Sequence, residues 1–183
     1  EVIGTLDTFI KERPIEVEST GGAGLEATSG VERGPVTVDD HTSFLAHFES
    51  GATGVFEAAR LAPGHRNDNS FEVNGSLGSI RFHLERMNEL ELYLETDPKG
   101  IQGFRTINVT EGADPYTAAY WPAGHIIGYE HTFINAFKDL FEAIGKGEHP
   151  TPTFEDGYKV QAVLDAVERS ATSRTWEKPA PLP

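Results

Sequence analysis

Two short stretches concentrate the side chains that could do chemistry in an otherwise acidic sequence. Arg60 lies at the end of a strand-like segment and leads into the loop His65-Arg66-Asn67-Asp68, which packs donors and acceptors closely together. Such a grouping suits a polyhydroxylated ligand, whose hydroxyls need both. The plainer alternative is a solvated loop with Arg60 in an ion pair. The second stretch runs from Tyr116 to Tyr129 and holds Tyr120, Trp121 and His125. Aromatic rings beside polar groups either grip a sugar or pin a long loop to a sheet.

Other chemistries find less support. Gly22-Ala23-Gly24-Leu25-Glu26-Ala27 spells G-x-G-x-x-A. That fingerprint works only where a buried strand runs into a helix whose N-terminus holds pyrophosphate. The preceding Ile15-Glu16-Val17-Glu18 is short and acidic and no amphipathic helix follows, so the stretch reads as a surface loop. No Walker-type phosphate loop occurs. The seven histidines form no H-x-x-x-H or H-x-H pair, so no metal ligand is assigned. Ser76 sits in a turn outside any G-x-S-x-G frame. Asp39-Asp40 and Glu155-Asp156 are the closest carboxylate pairs. Neighbours on a strand diverge, and acids in a first helical turn serve capping, so neither pair suits glycoside hydrolysis.

The composition narrows the classes further. The chain has 183 residues, 38% of them hydrophobic, enough for a real core. No apolar run approaches the roughly 18–20 residues of a membrane-spanning helix. A net charge of −14 repels phosphate backbones and anionic lipid, so neither nucleic acid nor membrane is expected as a partner. The absence of cysteine removes disulfides, thiolate metal sites and cysteine nucleophiles together. The one methionine is Met87, and the chain opens directly into a strand at Glu1, which suggests a piece of something longer.

These residues must be positioned by a series of strands followed by helices. Alternation predicts a strand from Val2 to about Ile10, then a long Gly/Ser/Glu-rich loop from Thr20 to Pro35. Asp40–Glu49 and Val55–Ala62 read as a hairpin, as do Ser70–Asn74 and Ser79–Leu84. Glu89–Glu95 and Phe104–Val109 read as further strands, most of them antiparallel. From Tyr129 the period becomes helical, through Phe133, Phe137, Phe141 and Ile144 to the stop at Gly145 and Gly147. Thr153 and Asp156 form a relative of the capping box ahead of a second helix, and Thr175-Trp176-Glu177 a last short strand. Strands first and helices later imply an α+β domain, with the sheet covered by helices on one face. Apolar residues fall at both parities in Phe44-Leu45-Ala46 and Val55-Phe56, so part of the other face is expected to be covered by another domain or a second copy.

The ordered string is more telling than any single motif. Val38-Asp39-Asp40, Phe48-Glu49-Ser50-Gly51-Ala52-Thr53-Gly54, Phe56-Glu57-Ala58-Ala59-Arg60 and Asn67-Asp68 follow in sequence. Phe71-Glu72-Val73-Asn74-Gly75-Ser76-Leu77-Gly78, Gly128-Tyr129-Glu130-His131-Thr132-Phe133 and Pro152-Thr153-Phe154-Glu155-Asp156-Gly157 come later, with Ser170-Ala171 ahead of Trp176. Across essentially all of its length the chain resembles the C-terminal domain of the glucose–fructose oxidoreductase/inositol dehydrogenase (Gfo/Idh/MocA) family.

That resemblance implies a two-domain enzyme in which a Rossmann domain binds NAD or NADP and residues 1–183 form the second, single domain. Its fold would be an open, mainly antiparallel β-sheet with helices packed on one face, the exposed face making a homodimer or higher homo-oligomer. It implies a cytoplasmic oxidoreductase acting on a sugar or polyol. The family's catalytic lysine, in a Glu-Lys-Pro motif, and its aspartate–histidine pair belong to segments not in this sequence. Glu177-Lys178-Pro179 spells the first motif but lies in the tail, and is read as coincidence. No catalytic or cofactor-binding residue is therefore assigned here, and the chain alone is expected to be inactive. The residues carried over as substrate contacts are Arg60, His65, Asn67 and His125. The competing reading is a non-catalytic module that binds a carbohydrate or partner, or only dimerises.

Overall fold

The structure is a computed structural model, which describes residues 1–19 and 27–182. Its strands are β1 (Val2–Asp7), β2 (Glu12–Ser19), β3 (Ala27–Pro35), β4 (His41–His47), β5 (Thr53–Ala59), β6 (Ser70–Asn74), β7 (Gly78–His83), β8 (Glu89–Leu94) and β9 (Arg105–Asn108). The helices are α1 (Tyr129–Lys146) and α2 (Phe154–Ser173). The described strands pair antiparallel in three sheets, β1-β4-β5, β2-β3 and β6-β7-β8-β9, an α+β arrangement as the sequence implies. The chain divides into two compact units, Glu1–Ala62 with Pro152–Pro183, and Pro63–Thr151.

In the first unit, helix α2 closes one face of β1-β4-β5. Val2, Ala46, Ala166 and Val167 are buried together, with Leu6, Phe44 and Val163 around them. The Phe44 and Phe56 rings stack at 4.6 Å. The helix starts where the capping pair predicts: Thr153 N–H donates to Asp156 Oδ2 at 2.8 Å, and Asp156 N–H returns to Thr153 Oγ1 at 3.3 Å. Strand β1 lies at the edge of its sheet, where unpaired N–H and C=O groups are a liability. Two contacts answer it. Val2 exchanges backbone hydrogen bonds of 2.8 and 2.9 Å with Glu177, and Gly4 N–H donates to the buried Ser170 hydroxyl at 3.0 Å. The expected strand 175–177 is reduced to that one bridge. Gly4 also crosses Phe44 so closely that a Cβ would lie 2.6 Å from the Phe44 Cβ.

Asp40 ties the start of β4 to the end of β1. It is buried, and its carboxylate accepts the Ile10 and Phe9 N–H groups, each at 2.8 Å. Those backbone donors hold its pKa below the ordinary carboxylate value. The carboxyl pair suggested by Asp39-Asp40 is thus a structural latch.

The stretch read as a loop from Thr20 to Pro35 is corrected over its second part, because Ala27–Pro35 is β3, paired antiparallel with β2. That ladder rests on backbone hydrogen bonds and slips register between Pro14 and Glu16 and between Glu16 and Glu18. Such pairing needs no apolar period, so the sequence carries no sign of it. The G-x-G-x-x-A motif lies outside the described residues except for Ala27.

In the second unit, register sets Phe71, Phe82, Val73, Ile80, Leu92, Leu90 and Ile107 on one face of β6-β7-β8-β9. The opposite face is polar: Glu72 pairs with Arg81, whose guanidinium lies 3.8 Å from the Phe104 ring centroid. Sheet β1-β4-β5 differs. Away from α2 it aligns Ile3, Leu45 and Val55 across three strands, and Val55 is 81% exposed. The mixed parity of the sequence therefore corresponds to an apolar row on the second face of this sheet, flanked by Thr5, Ser43 and Glu57.

Substituting Ser170→Ala leaves the Gly4 N–H without an acceptor in a buried site. The expected cost is about 1–2 kcal/mol, read as a lower midpoint in urea unfolding. An unchanged midpoint would mean that the hydroxyl does not secure the edge.

Candidate functional site

The loop after Arg60 is organised by an acid that the sequence does not single out. Glu85 sits in the one-turn 3-10 helix Leu84–Arg86, between β7 and β8. Its Oε1 accepts the Arg66 N–H at 2.5 Å and the Asn67 N–H at 3.1 Å. These two donors, Arg66 first, hold its pKa below the ordinary glutamate value. Glu85 Oε2 lies 4.0 Å and Asp68 Oδ2 3.3 Å from Nδ1 of His65. Two carboxylates thus face Nδ1 of His65. Gly64, at φ +105, makes the left-handed bend that turns the chain into this loop.

Three residues further on, Asn88 secures the second stretch. Its side-chain Nδ2 donates to the Ile127 carbonyl at 2.9 Å, and its Oδ1 accepts the Ile127 N–H at 2.9 Å. The short turn 84–88 therefore anchors both the His65–Asn67 loop and the end of the His125 loop, through one carboxylate and one amide. His125 is exposed, with Nδ1 2.8 Å from the Pro122 carbonyl. An N–H at Nδ1 satisfies that carbonyl and leaves Nε2 as an acceptor.

The structure thus brings His65 and Asn67 into one loop, and ties that loop and the loop of His125 to a common turn. Arg60 belongs to the other compact unit. Its backbone N–H donates to Asp40 O at 2.8 Å, and among the described residues its guanidinium has no ion-pair partner. The aromatics of the second stretch divide. Tyr120 pins the loop, its hydroxyl bonded to Asn135 and its ring edge-on to His131 at 4.5 Å. Tyr116 does the same through Asp139 at 2.7 Å, a bond that raises its pKa. Trp121 is 61% exposed and pins nothing of comparable kind among the described residues.

Glu85 and Asn88 are the residues that sequence reasoning missed. Their only local signal is an acid and an amide in a short link between two strands, because their partners are backbone groups far along the chain. His65, Asp68 and Glu85 are also the one described group whose ligand atoms come within 4.8 Å of one another, all three being exposed. The backbone N–H bonds to Glu85, the Ser70 hydroxyl's bond to Asp68 and the approach of His65 to both acids already account for that cluster. For a dinucleotide, the described strands pair antiparallel throughout. No strand–turn–helix unit of the kind that grips pyrophosphate is formed among them. No described helix is long and apolar enough to cross a membrane.

Comparison with known proteins identifies the family. Residues 11–178 match the Gfo/Idh/MocA model described as "Oxidoreductase family, C-terminal alpha/beta domain". The chain belongs to this family. Levoglucosan dehydrogenase of Pseudarthrobacter phenanthrenivorans is 40% identical over 178 residues, covering 96% of this chain and 45% of its own length. An oxidoreductase domain protein from Kribbella flavida is 49% identical, with a TM-score of 0.88 over 98% of this chain and 46% of that one. A levoglucosan dehydrogenase in complex with NADH and levoglucosan is 36% identical, with a TM-score of 0.86 over 99% of this chain and 45% of that one. The chain spans about half the length of the relatives it matches.

Two expectations follow for the turn. The lowered Glu85 pKa means that its ionised form is stabilised by the fold, so its contribution is complete above the unfolded value and lost as pH falls through the folded one. The Arg66 and Asn67 amide protons should titrate together by NMR with a midpoint below 4.5, the ordinary value. A midpoint at or above that value would contradict the pair of bonds. Asn88→Ala should speed hydrogen exchange at the Ile127 amide about tenfold while sparing β7.

Proposed function

We propose that these residues form the substrate-binding part of an NAD(H)-linked dehydrogenase for a sugar or polyol, cytoplasmic and assembled as a homodimer or higher homo-oligomer. The observation that carries the reading is 40% identity to levoglucosan dehydrogenase across 96% of this chain. The site chemistry agrees with it. His65, Asn67 and His125 offer acceptors and amide donors suited to neighbouring hydroxyls, and Trp121 offers an exposed ring for the C–H face of a pyranose. Arg60 adds a further donor to the same reading.

The division of labour rests on the chain's covering only 45% of the length of levoglucosan dehydrogenase. The cofactor, held by the other half of the parent protein, would supply the hydride acceptor. The residues here orient the carbinol carbon by its hydroxyls and close it off from water. Holding the loops from a common turn keeps that orientation from being lost to loop motion. The uncovered Ile3–Leu45–Val55 face supports association with another subunit, since contiguous exposed apolar surface marks interaction sites.

The full-length protein should reduce NAD with levoglucosan or a related sugar or polyol, followed by NADH absorbance. His125→Ala should raise KM about tenfold, with kcat changed much less, as loss of uniform binding requires. Failure of the whole panel of sugars and polyols would remove the proposal. Turnover by the 183-residue chain alone would remove the division of labour.

A further inference from the structure

Helix α1 is mounted with its polar side inward. His131, Asn135 and Asp139, spaced by four, receive the pinning tyrosines: Tyr120 meets His131 and Asn135, and Tyr116 meets Asp139. Tyr129, Phe133, Phe137 and Phe141 form a second row with the same spacing, displaced by two residues and so by about 200° around the helix. It points away from the polar anchors. Tyr129 is 56%, Phe133 52%, Phe137 57%, Phe141 67% and Ile144 63% exposed. The only buried residue of the helix is Ala143. The row carries no charge over a length of about 22 Å, so water is displaced from it at little cost and a hydroxylated or anionic ligand has nothing to bond there.

We infer that this outward row of α1 is the docking face for the half of the parent protein that lies outside these 183 residues. The inference rests on the two-part reading given under Proposed function. Two considerations choose this occupant over a second copy. A covalently attached partner competes at an effective concentration in the millimolar range, which a separate copy does not reach. The matched levoglucosan dehydrogenase is covered by this chain over only 45% of its length, so an attached half of sufficient size exists in the relative.

The test places the photo-crosslinking amino acid benzoylphenylalanine at Phe137, and separately at Phe141, in the full-length protein. Each is an aromatic replacement that keeps the row apolar. Protein grown in light and in heavy nitrogen is mixed before irradiation. The dominant adduct should join α1 to residues outside the 183-residue segment, within one molecule, and its yield should not change on tenfold dilution. Mixed light–heavy adducts would assign the face to a second copy and overturn the inference. Adducts confined to the 183 residues, or none with either probe, would overturn it as well. NADH binding by the same preparations is measured in parallel. If it is absent, the oxidoreductase reading fails; if it is present and the adducts fall elsewhere, only the docking face fails.

Discussion

Apolar surface that finds no cover among the described residues is the constraint behind most of what the structure shows. Burial of such surface is the main favourable term in folding, and a row of phenylalanines left in water forgoes it. Two patches stand out, the outward row of α1 and the Ile3–Leu45–Val55 face of β1-β4-β5. They lie on different elements and differ in form, one a convex helical stripe and the other a flat pleated face. A chain that matches a C-terminal domain, and spans about half the length of its relatives, is where such surfaces are expected.

Where the chain does satisfy itself, it does so with polar groups used economically. The edge of β1 is closed by Ser170 and by the bridge to Glu177. The corner between β1 and β4 is closed by Asp40, and the two candidate substrate loops by Glu85 and Asn88. In each case a short side chain accepts or exchanges hydrogen bonds with backbone groups that no ladder reaches. Buried or half-buried peptide groups must be paired, and loops cannot pair with themselves as strands do. Anchoring by side chain therefore does for the site what the sheet does for the scaffold.

Much of the scaffold was legible because its signals are local. The boundaries of β6 and β8, the cap of α2 at Thr153 and the end of α1 at Gly147 follow from alternation, a hydroxyl three residues before an acid, and a glycine in a left-handed conformation. The periodicity of α1 was equally plain, yet it carried no direction. Phe133, Phe137 and Phe141 have the same spacing whether the row faces inward or outward. Strand β3 gave no signal, since its pairing with β2 is carried by backbone bonds in a stretch without apolar period. In the site, His65, Asn67 and His125 stood out by residue type, while Glu85 and Asn88 did not, because their partners are peptide groups 19 and 39 residues away.

By itself, then, the sequence determined what depends on neighbours a few residues apart: the order of strands and helices, the caps, the absence of thiol chemistry and the polar character of the two candidate loops. Only the tertiary structure decided which turn anchors those loops, which side of α1 faces out and which sheet keeps an apolar row on its second face. The physical reason is the same in each case. A hydrogen bond to a distant peptide group and the orientation of an amphipathic face are relations between segments, and a single segment's composition and period are unchanged by how they resolve.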